Sequence, residues 1–407
     1  SPRGPSSSSD EVISPEEARS VVAARAPGPP APVEVPLADC LGLTLAEEVA
    51  SDLDLPPFDA SAMDGYAVRA QDVAVAPAAL RVIGESKAGK PFSGRLLAET
   101  AVAIYTGAAI PEGADAVAIV ERTQRDGDFV RVFDASRKGD HIRRRGEDLR
   151  AGEVVLRPGA PIRPQEMGVL AALGRARVRA VPRPRVAILA TGDELVPPDR
   201  RPGPGEIRES NSFSLLGQAL RAGAEPLRLG VARDDRAEIR ARIEEGLRAD
   251  LLLLTGGVSV GAYDFVAEAL EAMGVERHFH GVSMKPGRPV WFGTRRETAV
   301  FGLPGNPVSA FVGFEVLARI AIEKRQGRAP RDPFHHGRFA GGRVKGNPRL
   351  QLVPAVTSCS AGGGSEVRAL EWSSSGDLVE LARANALLAV PPETVPEEGA
   401  VVRFLEI

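Results

Sequence analysis

The sequence predicts a multidomain protein: a central doubly wound, mostly parallel α/β domain, an N-terminal elongated region carrying a β-rich insert, and a small C-terminal β domain. Three observations predict it. At 407 residues the chain is longer than one ordinary core accommodates. Strand-like and helix-like stretches alternate from Arg185 to Arg325, the pattern of a sheet covered by helices. Short apolar runs broken by Gly and Pro occupy residues 54–146 and the chain after Pro330, as in small all-β units. The expected division is a disordered leader at 1–9, a discontinuous N-terminal domain at 10–53 and 147–183, the insert at 54–146, the α/β domain at 184–329 and the C-terminal domain at 330–407.

The elements follow in order. Ser14-Pro15-Glu16-Glu17 opens a helix, with Ser as cap, Pro first inside and Glu three residues after the cap. A second helical piece is expected near Ala38 to Gly42, then a strand around Thr44 to Val49. In the insert, Ala116 to Val120 and Phe129 to Phe133 flank Asp126-Gly127, a hairpin signal. Gly84 to Pro91 nearly matches a nucleotide-binding P-loop. Pro91 stands where the Ser/Thr hydroxyl is needed and no periodic helix follows, so the match is rejected. Pro164 opens a short helix after Val154, and a strand runs up to Val181.

In the α/β region, strands are expected at Val186 to Ala190, Pro226 to Val231, Leu251 to Leu254, Arg277 to Gly281, Pro289 to Phe292 and Thr298 to Gly302. Helices are expected near Ser212 to Ala222, at Arg236 to Arg248, Phe265 to Met273 and Pro307 to Arg325. Leu378 to Leu388 and Val401 to Leu405 read as the clearest C-terminal strands.

Composition narrows the function classes. The net charge of -3 argues against a nucleic-acid partner. No apolar run approaches membrane-spanning length, so a soluble, cytoplasmic protein is expected, with no membrane partner. Cys40 and Cys359 give neither a disulfide framework nor metal spacing, and the five histidines form no ligand pattern, which argues against a zinc enzyme. Catalysis is expected to work by positioning and charge stabilisation, without a covalent intermediate.

Chemistry concentrates after the strands. Ligands in open α/β sheets sit beyond the carboxyl ends of the strands, where turns distant in sequence converge. Those turns are Thr191-Gly192-Asp193-Glu194, Arg233-Asp234-Asp235, Gly256-Gly257-Val258-Ser259, Lys285-Pro286-Gly287-Arg288 and Pro304-Gly305-Asn306-Pro307. Glycines after Leu251 to Thr255 make a backbone nest suited to phosphate, and equally serve a plain strand–turn–helix connection. Lys285 suits an anion. Glu194, Asp234 and Asp264 suit a hard cation such as Mg²⁺ bridging carboxylates and substrate phosphates.

Leu251 to Asp264, Met284-Lys285-Pro286-Gly287 and Gly302 to Ala310 resemble the molybdopterin-binding domain of molybdenum-cofactor enzymes. Phe58 to Arg69, with its Asp59, Ser61 and Asp64, Thr106-Gly107, Arg143 to Asp148 and Leu378 to Asn385 narrow the resemblance to the MoeA family, the type of the gephyrin E domain. The resemblance implies a molybdopterin molybdenumtransferase. Such enzymes take adenylylated molybdopterin and molybdate, release AMP with Mg²⁺ support, and act as homodimers with the active site at the subunit interface. It also implies partnership with molybdopterin adenylyltransferase and molybdenum-enzyme maturation proteins.

Asp64, Thr106, Asp148, Glu194, Asp234, Asp264 and Lys285 match the family's functional positions, with Glu194 and Asp264 implied at the metal. Substrate contacts are implied for Thr191, Gly192, Asp193, Gly256, Gly257, Val258, Ser259, Pro286, Gly287, Pro304, Gly305, Asn306, Pro307 and Ser309. One departure is Gly281, where many members carry a basic residue; Arg288, Arg277 or an arginine of Arg143 to Arg145 is the expected substitute. Two other readings are an adenylyltransferase, which shares the α/β domain but lacks the flanking domains, and a gephyrin-like non-catalytic scaffold.

Overall fold

A computed structural model describes residues 12–257, 265–359 and 363–407. The expected leader therefore lies outside the described residues. The chain divides into two compact units. One takes in the described residues up to Ala46, with Pro161–Arg163 and Arg179–Ile407; the other is Glu47–Ala160 with Pro164–Val178.

In the larger unit, helix α1 (Pro15–Arg25) starts as its sequence dictates: the Ser14 side chain accepts from the Glu17 N–H at 3.1 Å. The central sheet is built from β1 (Arg185–Thr191), β2 (Glu225–Ala232), β3 (Leu251–Thr255), β4 (Glu276–His280), β6 (Trp291–Arg295) and β7 (Thr298–Leu303), β5 belonging to the C-terminal sheet below. Their spatial order is β2-β1-β3-β7-β6-β4. β2, β1, β3 and β7 pair in parallel, and β6 pairs antiparallel to both β7 and β4, so only β6 runs against the rest.

Helices cover both faces, as the doubly wound pattern requires. Alternation along β1 sends Val186 and Ile188 into one apolar core and Ala187 and Leu189 into the other. The first core also contains residues of α1, α2 (Asn211–Arg221) and α5 (Pro307–Gly313). The second contains residues of α3 (Arg236–Gly246) and α4 (Phe265–Ala272). β3 is buried along its whole length, in keeping with its unbroken apolar run. The helix from Pro307 continues beyond α5 through a π-helical stretch (Phe314–Ala318) into α6 (Arg319–Arg325). Within that stretch the buried Glu315 carboxylate receives Arg221, Arg319 and Gln218.

The C-terminal part is a closed barrel. β8 (Phe334–Phe339), β9 (Leu350–Cys359), β10 (Ser365–Ala369), β11 (Ala386–Val390) and β12 (Val401–Glu406) form the cycle β9-β10-β8-β12-β11, closed by β11 pairing β9. The two-residue strand β5 (Met284–Lys285) joins this sheet, pairing with Leu350 and Gln351 of β9. Thus the Lys-Pro-Gly segment leaves the carboxyl edge of β4 and is captured by the barrel.

Several local expectations change. Leu378 to Leu388 is not one strand: Leu378–Arg383 is helix α7, because Asp377 caps it by accepting from the Glu380 N–H at 3.2 Å. Only β11 remains of the strand. The piece near Ala38 is a single 3₁₀ turn, Leu37–Asp39. The strand expected over Thr44 to Val49 splits because its ends take different partners, Thr44–Leu45 pairing with Ala180 and Val181, and Val49–Ala50 with Val154 and Leu156.

The smaller unit holds a six-stranded sheet in the order Ala116–Ile119, Gly65–Val68, Thr100–Ile104, Ala78–Ser86, Phe129–Val132, Thr123–Asp126. The Asp126-Gly127 turn does form a hairpin, but its first strand is Thr123–Asp126; Ala116–Ile119 pairs with Gly65–Val68 instead. Lys87 and Lys90 close a tight turn with no helix after it, consistent with rejecting the P-loop match.

Candidate functional site: a cleft of two cavities

At the carboxyl edge of the central sheet of the larger unit lies a cavity of about 560 Å³. Thr191 and Gly192 after β1, Asp234 after β2, Gly256 and Gly257 after β3 and Gly305 after β7 border it. So do Glu194, Pro304, Asn306 and Pro307. The strand-end turns therefore converge as the topology requires. Gly256 is needed for this geometry: at φ 89° it brings its turn so close to β1 that a Cβ would lie 2.3 Å from the Thr191 carbonyl oxygen.

Asp193 does not border the cavity. Its Oδ1 accepts from the Asp234 N–H at 3.2 Å and its carbonyl oxygen from Arg233 at 2.6 Å, so it ties the turn after β1 to the turn after β2. Val258, Ser259 and Asp264 lie outside the described residues. Among the described residues no group of three or more His, Cys, Asp or Glu is arranged to hold a metal ion.

A second cavity of about 680 Å³ adjoins the first, sharing Pro289, Pro304 and Asn306. Lys285, Pro286, Gly287 and Ser309 border it. So do Arg288, Arg343, Lys345 and Arg349, against the single carboxylate of Glu371. Barrel and α/β segments interlock here: the Asn306 amide donates to the Ser375 hydroxyl at 2.9 Å, and the Val308 N–H to the Ser375 carbonyl at 3.0 Å. The two cavities thus differ in charge. The first carries Glu194 and Asp234 opposite Arg208, with Glu209 already engaged by Ser212 and Arg228; the second is strongly cationic.

Sequence reasoning missed Arg343, Lys345, Arg349 and Ser373 to Ser375. Their signal, cations spaced through a Gly-rich stretch, reads as an ordinary surface loop until the barrel folds it against Lys285. It missed Asn211 too, which borders the first cavity. Gly281 sits at φ 109°, where a basic side chain would be strained, with Val12 3.2 Å from the position of a Cβ. Of its expected substitutes, Arg288 is the one the larger unit brings beside Lys285. Arg277 instead lies 3.9 Å from Glu271.

In the smaller unit, Gly65 pairs with Ile104, which sets Asp64 beside the turn after Thr100–Ile104. Thr106 donates its N–H at 2.7 Å and its hydroxyl at 2.8 Å to Asp64 Oδ1. Those two bonds, the backbone one foremost, hold the Asp64 carboxyl below the usual aspartate range. Asp148 pairs with Arg143, Asp59 with Arg144 and Asp54 with Arg145, so each arginine of this loop already has a carboxylate.

Fold and site define a multidomain α/β protein whose strand-end turns open onto one cavity, adjoined by a cationic cavity that a C-terminal barrel completes. Residues 13–174 match the MoeA N-terminal region (domain I and II), 187–324 a probable molybdopterin binding domain, and 337–407 the MoeA C-terminal region (domain IV). The chain belongs to the MoeA family. It is 38% identical over 377 residues to molybdopterin molybdenumtransferase 2 of Mycobacterium tuberculosis strain H37Rv, covering 89% of this chain and 92% of that protein. It is 35% identical to the molybdopterin molybdenumtransferase of Haemophilus influenzae, covering 93% and 94%. The crystal structure of the molybdopterin biosynthesis MoeA protein of Pyrococcus horikoshii OT3 superposes with a TM-score of 0.81 at 30% identity, covering 98% of this chain and all of that one.

Proposed function

We propose that the chain is a molybdopterin molybdenumtransferase of molybdenum cofactor biosynthesis, accepting adenylylated molybdopterin and molybdate and releasing AMP. The observation that carries this reading is the division of charge along one cleft. Lys285, Arg288, Arg343, Lys345 and Arg349 border a cavity suited to a tetrahedral oxyanion, which here is a substrate. The adjoining cavity offers strand-end backbone and the carboxylates of Glu194 and Asp234 to a phosphate-bearing organic substrate. Arranged so, the two substrates meet where Pro289, Pro304 and Asn306 are shared.

The oxygen donors of Glu194 and Asp234 fit Mg²⁺, which commonly takes one or two carboxylates together with phosphate oxygens. When bound, Mg²⁺ would neutralise charge on the phosphate anhydride. The chain's own contribution is positional. Cations hold molybdate against the dithiolene sulfurs, and the turns after β1, β3 and β7 hold the phosphates. We assign Asp64, Thr106 and Asp148 supporting roles in the same activity, and expect a homodimer by light scattering.

Reconstitution tests the reading. Incubation with adenylylated molybdopterin, Mg²⁺ and molybdate should yield a cofactor that activates an apo-molybdoenzyme. Failure under conditions where an active relative succeeds would overturn it.

A further inference from the structure

The opposite, amino edge of the central sheet carries a separate hollow of about 350 Å³, beside Asp250, which precedes β3, and the turn joining β6 to β7. Arg325 lies buried in its wall. Its guanidinium donates to Asp250 Oδ1 at 2.8 Å, to Glu297 Oε2 at 3.0 Å and to the Gly28 carbonyl at 2.7 Å. Both carboxylates of the hollow are thereby engaged by one cation. Arg248, Arg295 and Arg296 also border it, and among the described residues their guanidiniums have no hydrogen-bond or ion-pair partner. Four guanidiniums thus share two carboxylates.

Arg296 adds a second, independent observation. It opens the two-residue turn between β6 and β7 at φ 52°, a left-handed conformation that favours glycine and opposes any Cβ. The fold tolerates that opposition, and among the described residues the side chain returns no hydrogen bond or ion pair. A guanidinium fork matches phosphate oxygens in pairs, and the hollow lies at the lower end of the size range of small-molecule pockets. A concave pocket in a chain of net charge -3 suits a small anion better than a nucleic acid.

We propose that Arg248, Arg295 and Arg296 form a binding site for a small molecule carrying a phosphate or diphosphate group, at the end of the sheet away from the cleft. The site is independent of the transferase reading, since Asp250 precedes the first residue of β3 and Gly256 follows its last.

Pyrophosphate is the probe, titrated calorimetrically into the full chain. In a Lys285→Ala/Arg349→Ala background, which removes cleft cations, one saturable site should remain. Adding Arg248→Ala and Arg296→Gly should weaken it at least tenfold. In the chain with its cleft unaltered, the same two substitutions should remove one of two classes of bound pyrophosphate. Arg296→Gly alone should raise the unfolding temperature and still weaken binding, whereas a purely structural Arg296 would change the temperature only. Absence of saturable binding with the cleft cations removed, or affinity unchanged by the arginine substitutions, would overturn the proposal.

Discussion

Asn211 donates through its amide nitrogen to the Thr255 hydroxyl oxygen at 2.8 Å, and the same nitrogen reaches the Gly305 carbonyl at 2.7 Å. The direction is fixed by the partners. Thr255 donates its own proton to the Pro304 carbonyl at 3.3 Å, and the Gly305 carbonyl can only accept. One side chain at the start of α2 therefore pins the turns after β3 and β7 on the cleft. Asn211→Leu should release both turns, lowering stability by about 1–3 kcal/mol and raising KM for the pterin substrate. Thermal unfolding and initial rates check it; unchanged KM would separate Asn211 from the site.

Gly256→Ala should be severe. The added Cβ meets the Thr191 carbonyl oxygen at 2.3 Å in a backbone conformation with φ 89°. Left-handed strain alone costs about 1–2 kcal/mol, and the clash adds to it. Chemical denaturation should show a loss of at least about 2 kcal/mol. Gly305→Ala is the control, because its Cβ would find only the Gly256 Cα, at an ordinary 3.7 Å.

Lys285→Ala and Arg349→Ala should each weaken molybdate binding by roughly tenfold or more, the loss of about 1.5–3 kcal/mol expected for a hydrogen bond to a charged group. Their effect on binding of the pterin substrate should be smaller, since both border the cationic cavity alone. Equilibrium dialysis with each ligand separately makes the comparison.

Acid should act on the smaller unit through Asp54, Asp59 and Asp64. Each carboxyl is held below its ordinary range chiefly by a backbone N–H, from Ala151, Arg145 and Thr106 respectively. A depressed carboxyl stabilises the fold fully above its unfolded pKa, about 4, and loses that contribution as pH falls through the lower folded value. Stability of this unit should therefore be flat from neutrality to about pH 5 and decline below about pH 4. Asp59→Asn should flatten part of that decline in pH-dependent unfolding followed by hydrogen exchange.

Much of this was legible in the sequence, for physical reasons. The apolar run Leu251 to Leu254 has no amphipathic alternative, so a strand buried on both faces was forced. Ser14-Pro15 and Asp126-Gly127 act through local backbone chemistry that needs no tertiary context. The misreadings arose where context decides. Leu378 to Leu388 is apolar enough for a strand, and a single capping bond from Asp377 converts its first half into helix α7. The strand partner across Asp126-Gly127 depended on Ala116–Ile119 being claimed by Gly65–Val68. In the site, turns after strands were predictable because sheet topology gathers them. Arg343, Lys345 and Arg349 come from the barrel, and nothing local in them points to Lys285; the β5–β9 pairing does that. Gly281 illustrates the same limit: the departure is visible in sequence, but that Arg288 borders one cavity with Lys285, Arg343 and Arg349 is visible only in space.

The most direct test of the central claim is AMP release from adenylylated molybdopterin in the presence of Mg²⁺, measured with and without molybdate. Occupation of both cavities by two substrates predicts fast release only when molybdate is added, and loss of that dependence in Arg349→Ala. Release at equal rates with and without molybdate, or tight substrate binding with no release in either case, would contradict it.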